Sequence, residues 1–189
     1  MDKSESFQQL AEECSGCGKC DLAITRKNLV FGTGTCRADI LFVGEGPGEM
    51  EDIKGEPFVG KAGQLLDVML QLINLNRKDI YITNIVKCRP PHNRDPRAEE
   101  CSACRDWLNR QIEIIDPKIV VCLGRIAATS LISEDFKITR ERGKWFDIGG
   151  RKYIATYHPS YLLRDETKRP DAFSDLREIR AMLRKCKEE

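Results

Sequence analysis

No stretch of the 189-residue chain approaches the ~20 consecutive apolar residues that a bilayer-spanning helix needs, so a membrane helix is not expected. The opening residues, MDKSESFQQLAEECSGC, are polar and acidic and lack the apolar core of a secretory signal, which points to a cytoplasmic location. Net charge is nearly absent: 31 Lys and Arg oppose 30 Asp and Glu, for a sum of +1. That balance excludes a bulk field able to gather a polyanion from a distance, so any nucleic-acid contact must come from local clusters. Such clusters exist at Lys87, Arg89, Arg94 and Arg97, at Arg140, Arg142 and Lys144, and along the tail from Arg164. Internal repeats and low-complexity segments are missing, which argues against a solenoid or a disordered array. Histidine is scarce, with two residues; a lone histidine is more often structural than functional, but His158 follows an expected strand at the edge where ligands bind.

What remains is the composition of a soluble globular protein, with 41% hydrophobic and 32% charged residues. The length suits one domain over 1–189, with 1–16 as a polar lead-in that contains at most a short helix. Apolar runs predict strands at Asp39–Gly44, Ile80–Val86, Ile119–Leu123 and Lys152–Thr156. Helical patterns fall between them. Leu65, Leu66, Met69, Leu72 and Ile73 line one face over about Ala62–Leu75. Trp107, Leu108, Ile112 and Ile115 point inward over Ala98–Ile115. Further helices start near Gly124 and near Asp171. This alternation predicts a parallel sheet covered on both faces. Ligands of such sheets bind beyond the carboxyl ends of the strands. Gly44–Asp52, Asn84 and His158 all fall at such ends.

Nine cysteines are many for such a chain, and an odd number cannot all pair. Cys17 and Cys20 form a C-x2-C pair, and Cys88 and Cys104 bracket a long loop. Four thiolates of this kind hold zinc or an iron–sulfur cluster. Cys14 offers an alternative pair with Cys17, and Cys101 an alternative to Cys104; spacing alone leaves these open. Cys122 falls in a strand and reads as core, with Cys36 and Cys186 unliganded.

Three runs, GEGPGEMEDIKGEPFVGKAGQLLD (44–67), ITNIVKCRPPHNRDP (82–96) and HPSYLLR (158–164), resemble family 4 of the uracil-DNA glycosylase superfamily, as does CGKCDLAITRKNLVFG (17–32). The resemblance covers most of the chain from Cys17 onward. It implies a three-layer α/β/α sandwich around a central four-stranded parallel sheet, in agreement with the periodicity. It also implies a [4Fe–4S] cluster on Cys17, Cys20, Cys88 and Cys104, structural rather than redox-catalytic. The implied activity is excision of uracil from single- or double-stranded DNA by a monomer, through flipping of the nucleotide into a pocket.

On that resemblance, Phe58 stacks on the uracil ring and Asn84 reads its O4 and N3–H edge with one amide. His158 donates to O2, where negative charge develops. Gly44, Glu45 and Gly46 supply backbone contacts to the base. Gly46 departs from family 1, where an aspartate that orients the water takes this position. Glu51 becomes the first candidate for that carboxylate and Glu45 the second, while Glu49 and Asp52 read as solvated or helix-capping. Tyr161, Leu162, Leu163 and Arg164 are expected to wedge into the minor groove, and Arg89, Arg94 and Arg164 to contact phosphates. No lysine occupies a nucleophile position in the three motifs, so hydrolysis without strand cleavage is expected.

Overall fold

The middle of the sheet is built from runs too apolar to tolerate water on either side. The structure, a computed structural model, describes residues 2–188; Met1 and Glu189, the ends of the expected domain, lie outside it. In chain order its strands are β1 (Thr33–Gly34), β2 (Ile40–Gly44), β3 (Tyr81–Asn84), β4 (Ile119–Leu123), β5 (Trp145–Ile148) and β6 (Arg151–Thr156). The helices are α1 (Lys3–Ser15), α2 (Leu22–Thr25), α3 (Glu49–Lys54), α4 (Lys61–Leu72), α5 (Ala98–Ile115), α6 (Arg125–Leu131), α7 (Ile138–Glu141), α8 (Pro159–Arg164) and α9 (Arg169–Glu188).

Strands β2, β3 and β4 are buried along their whole length, as expected of a parallel sheet covered on both faces. Because side chains alternate, each strand feeds two cores. Leu41, Val43, Val120 and Cys122 face α1, α5 and α6, where Leu10, Trp107, Leu108, Ile112 and Ala127 pack on them. Ile40, Phe42, Ile119 and Val121 face α4, α8 and α9, where they meet Leu66, Met69, Leu162, Leu176 and Ile179. The sandwich has the expected three layers. No helix among the described residues is long and apolar enough to cross a membrane.

The sheet has six strands rather than four, in the order β1-β3-β2-β4-β6-β5. The inner four are parallel, and β1 and β5 add antiparallel edges. β1 has two residues, too few to leave a periodic signal. β5 forms a hairpin with β6 through Gly149 and Gly150, both at positive φ (58° and 79°), a turn that its two glycines announce. Short edges of this kind limit pairing with other chains. Boundaries also moved. Helix α4 stops at Leu72, whose side chain is exposed rather than on the apolar face, and Asn74 beyond it is at φ 54°. Strand β3 ends at Asn84, since residues 85 and 86 turn to donate to the carbonyls of Gly44 and Glu45.

Register decides what meets at the carboxyl edge. Gly44 of β2 pairs with Asn84 of β3, and Leu123 of β4 with Thr156 of β6. The end of β6 is tied down from below: Thr156 Oγ1 donates to Asp175 Oδ2 at 2.7 Å, and Arg142 Nη1 donates to Asp175 Oδ1 at 2.6 Å. This buried network fixes the strand end from which His158 departs.

Candidate functional site

Beyond the carboxyl ends of β2, β3 and β6 lies a cavity of about 330 Å³, within the range of small-ligand sites. Glu45, Gly46, Glu51, Phe58, Asn84, Arg94, His158 and Arg164 all line it, so three segments distant in sequence converge there. A second cavity, between Arg125, Tyr157 and Tyr161, shares Glu45, Asp95, His158, Ser160 and Arg164 with the first. Pro47, Pro90, Asn93, Asp95 and Ser160 also line the main cavity. Pro47, Pro90 and Asp95 sit on irregular loops, Asn93 ends a 3-10 turn and Ser160 is in the first turn of α8, so none carries a periodic signal that marks it as lining a site.

Asn84 is 2% exposed, and its Oδ1 is buried without a hydrogen-bond partner. Leaving a buried acceptor unpaired costs about 1–3 kcal/mol, so an amide kept this way at a cavity wall is poised for a ligand donor. Gly44 stands beside it. A Cβ built there would lie 2.5 Å from both Asn84 Oδ1 and Phe58 Cζ. Gly44 is not itself on the cavity wall; its missing side chain is the space into which ring and amide close, which differs from the direct contact expected of it.

The Phe58 ring lies 5.6 Å from the His158 ring at 30°. His158 is half-buried at the N-cap of α8, where its Nδ1 accepts from the Ser160 backbone N–H at 3.1 Å. A backbone N–H can only donate, so the imidazole proton resides on Nε2. Burial brings this imidazole down to about 4, and Arg164 acts in the same direction. The site therefore presents a neutral ring with one donor.

The two candidate carboxylates differ. Glu51 Oε1 accepts from the Val59 and Gly60 N–H groups, each at 2.8 Å, so half of this carboxylate holds the loop that carries Phe58. Glu45, at the junction of the two cavities, is pushed up to about 7 by burial and then by Asp95, against the pull of Arg125 and Arg164. Asp52, read as solvated or capping, is buried and accepts from Lys27 N and Asn28 N.

Several expected surface contacts are placed otherwise. Leu162 is 1% exposed and belongs to the core beneath α8. Tyr161 is half-buried against Tyr157 and bonds Asp165. Leu163 is 40% exposed, beside the exposed Arg164 at the cavity rim. Arg94 lines the cavity, but its guanidinium is held by both oxygens of Glu100 at 2.9 and 2.6 Å. Arg89 bonds Asn93 and lies in a neighbouring hollow with Lys27 and His92. Lys87 is no surface cation: it is 1% exposed, and its Nζ donates to Thr83 Oγ1, the Asn84 carbonyl and Gln111 Oε1.

Cys17, Cys20, Cys88 and Cys104 line one small cavity near the sheet end, with Trp107 and Arg26. Cys14 and Cys101 are not on its wall. Donors reach three of the sulfurs: Trp107 Nε1 to Cys17 at 3.2 Å, Arg26 Nη1 to Cys88 at 3.1 Å and the Lys87 N–H to Cys104 at 3.3 Å. Among the described residues, no three Cys, His, Asp or Glu converge as they would on a single ion. Four thiols around one cavity, with N–H donors aimed at sulfur, suit a polynuclear thiolate-bound cluster.

Residues 31–182 match the sequence profile of the Uracil DNA glycosylase superfamily. A type-4 uracil-DNA glycosylase of Archaeoglobus fulgidus is 48% identical over 183 residues, which cover 93% of this chain and 92% of that protein. That of Thermotoga maritima is 43% identical, covering 97% of each. That of Saccharolobus solfataricus is 43% identical, covering 95% and 87%.

The Nδ1 contact and the depressed basicity make a spectroscopic prediction. Long-range 1H–15N NMR should find His158 neutral with its proton on Nε2, titrating near pH 4 rather than 6.5. Between those values the unfolded chain binds the proton that the folded one refuses, so stability falls as pH drops through this window. A His158 midpoint near 6.5 would mean that the ring is not held as described.

Proposed function

The chain belongs to the uracil DNA glycosylase superfamily, within its family 4, and we propose that it flips uracil out of single- or double-stranded DNA and hydrolyses the N-glycosidic bond. The enzyme is a uracil-DNA glycosylase, a hydrolase of N-glycosyl bonds. On this reading it acts as a cytoplasmic monomer that releases free uracil and leaves an abasic site without cutting the strand. Two features support hydrolysis without a lyase step. Among the described residues no lysine lines the cavity, and Lys87, three residues beyond Asn84, has its Nζ occupied by three oxygens.

The observation that carries the reading is the buried, unpartnered amide oxygen of Asn84. Uracil N3–H supplies the donor it lacks, and the amide NH2 in turn donates to O4. Cytosine offers the opposite polarity at both positions and would leave buried groups unpaired, which is a strong basis for rejection. Phe58 covers one face of the ring. The Nε2–H of His158 donates to O2 and stabilises the charge that builds there as the bond breaks. The sugar develops positive charge in the same step, so a nearby carboxylate both stabilises it and directs the water.

Glu45 is the carboxylate we assign to that task. Glu51 has one oxygen fixed on the Phe58 loop, so its contribution is to hold the stacking residue. Gly46, next to Glu45, has little room for a side chain, since a Cβ there would lie 2.8 Å from Val86 Cγ2. Leu163 and Arg164, exposed at the rim, are the parts of the 158–164 segment suited to fill the vacated stack and meet a phosphate.

Cys17, Cys20, Cys88 and Cys104 would hold a [4Fe–4S] cluster. When bound, it would supply bonds to the four thiolates that join the N-terminal segment, the loop after β3 and α5. Lys87 donates from its backbone to Cys104 and from its side chain to the Asn84 carbonyl, so the cysteine site and the base-reading amide share one residue.

Three outcomes follow from this reading. Purified protein should release free uracil from uracil-containing DNA, and Asn84→Ala and His158→Ala should each lose on the order of 100-fold or more in kcat/KM; full activity in both variants would overturn the assignment. With its carboxyl near 7, Glu45 is ionised above that pH, so the rate should fall as pH drops through about 7, and Glu45→Gln should be slow and lack that limb. Iron and sulfide analysis should find a four-iron cluster, lost in Cys88→Ala, whereas zinc in its place would overturn the cluster assignment.

A further inference from the structure

Phe58 is an aromatic residue in a backbone conformation that side chains avoid, with φ at 55°. Residues with a Cβ rarely adopt this region, and they persist there only where neighbours over-determine the backbone. Here the loop between α3 and α4 is gripped from both sides. On one side the Glu51 carboxylate accepts from the N–H groups of Val59 and Gly60. On the other, Arg77 donates from Nη1 to the Pro57 carbonyl at 3.1 Å and from Nη2 to the Phe58 carbonyl and, at 3.4 Å, to that of Gly63.

The guanidinium is itself aimed by Asp67 on α4, 2.5 Å from Nε. Gly63 completes the clamp, because a Cβ there would lie 1.8 Å from the Phe58 carbonyl oxygen. Arg77 belongs to a single 3-10 turn (Arg77–Asp79) ahead of β3 and does not line the cavity. Its contacts are with the backbone of the segment whose ring does.

We propose that Arg77 is a positioning residue that holds Phe58 in the pose needed to stack on the flipped base, an inference that rests on the uracil reading above. Three carbonyls and one carboxylate need donors in several directions from one plane. A guanidinium supplies that fork, and a lysine ammonium does not. Without it, the Pro57 and Phe58 carbonyls lose their donor, the backbone relaxes toward negative φ, and the ring swings away from its place between Gly44 and His158. Arg77 acts only through Phe58, so removing the Phe58 ring should remove its effect.

A double-mutant cycle tests this. Uracil release would be measured for the wild type, Arg77→Ala, Phe58→Ala and the double variant, with thermal melts to confirm that each is folded. Arg77→Lys, which keeps a cation beside Asp67, would run in parallel and carries the cycle if Arg77→Ala does not fold. Arg77→Ala should lower kcat/KM roughly tenfold to a hundredfold when Phe58 is present, the range that follows misplacement of a positioning group. In the Phe58→Ala background the same change should cost less than about twofold. Equal losses in both backgrounds would overturn the inference alone, since a general structural role adds independently of the ring. A wild type that releases no uracil would overturn the uracil reading, and this inference with it.

Discussion

The register of β2 on β3 is the constraint from which the site follows. Parallel pairing sets Gly44 against Asn84, and because one of the pair has no side chain, the other's amide and the Phe58 ring can occupy the same small volume. A slip of one residue would turn Asn84 to the opposite face of the sheet. It would also bring a full side chain into the space that the ring needs. That register is held by the two cores on either side, in which every residue of β2 and β4 is buried. The chemistry at the rim depends on packing well below it.

Around that point the backbone is arranged by groups that never enter the cavity. Arg77 and Glu51 grip opposite sides of one loop, Asp175 anchors the end of β6, and Lys87 joins the end of β3 to the cysteine cavity. Each satisfies a carbonyl, an N–H or a hydroxyl that would otherwise be left without a partner. The Asn84 Oδ1, left open amid this pairing, stands out for that reason. Native interiors rarely tolerate such an atom without a use for it.

Burial moves two of the titratable groups at the cavity, His158 and Glu45, in opposite senses. It makes His158 harder to protonate and Glu45 easier. The imidazole remains a neutral donor while the carboxyl titrates near neutrality, so two roles are separated by environment rather than by residue type.

Much of the architecture was legible in the chain, because continuous apolar runs such as ILFVG and IVVCL leave a strand few alternatives and α5 repeats its apolar face at helical spacing. The edge strands were not: β1 is too short to have a period, and the Gly149–Gly150 turn marked a hairpin that went unread. Gly44, Asn84 and His158 could be placed at the rim because local sequence sets where a strand ends and which residue follows it, whereas the role of Phe58, on the loop between α3 and α4, came only with the family resemblance. Whether Leu162 or Leu163 faces outward, whether Arg94 is free or bound to Glu100, and which oxygen of Glu51 is open depend on contacts between segments far apart in the chain. The same holds for Arg77, an ordinary arginine in sequence whose partners lie 10 to 20 positions away. Residue type and order determined the elements and their chemistry; only the folded packing decided which polar groups were satisfied and which were left to meet a ligand, because hydrogen-bond satisfaction is a property of neighbours in space.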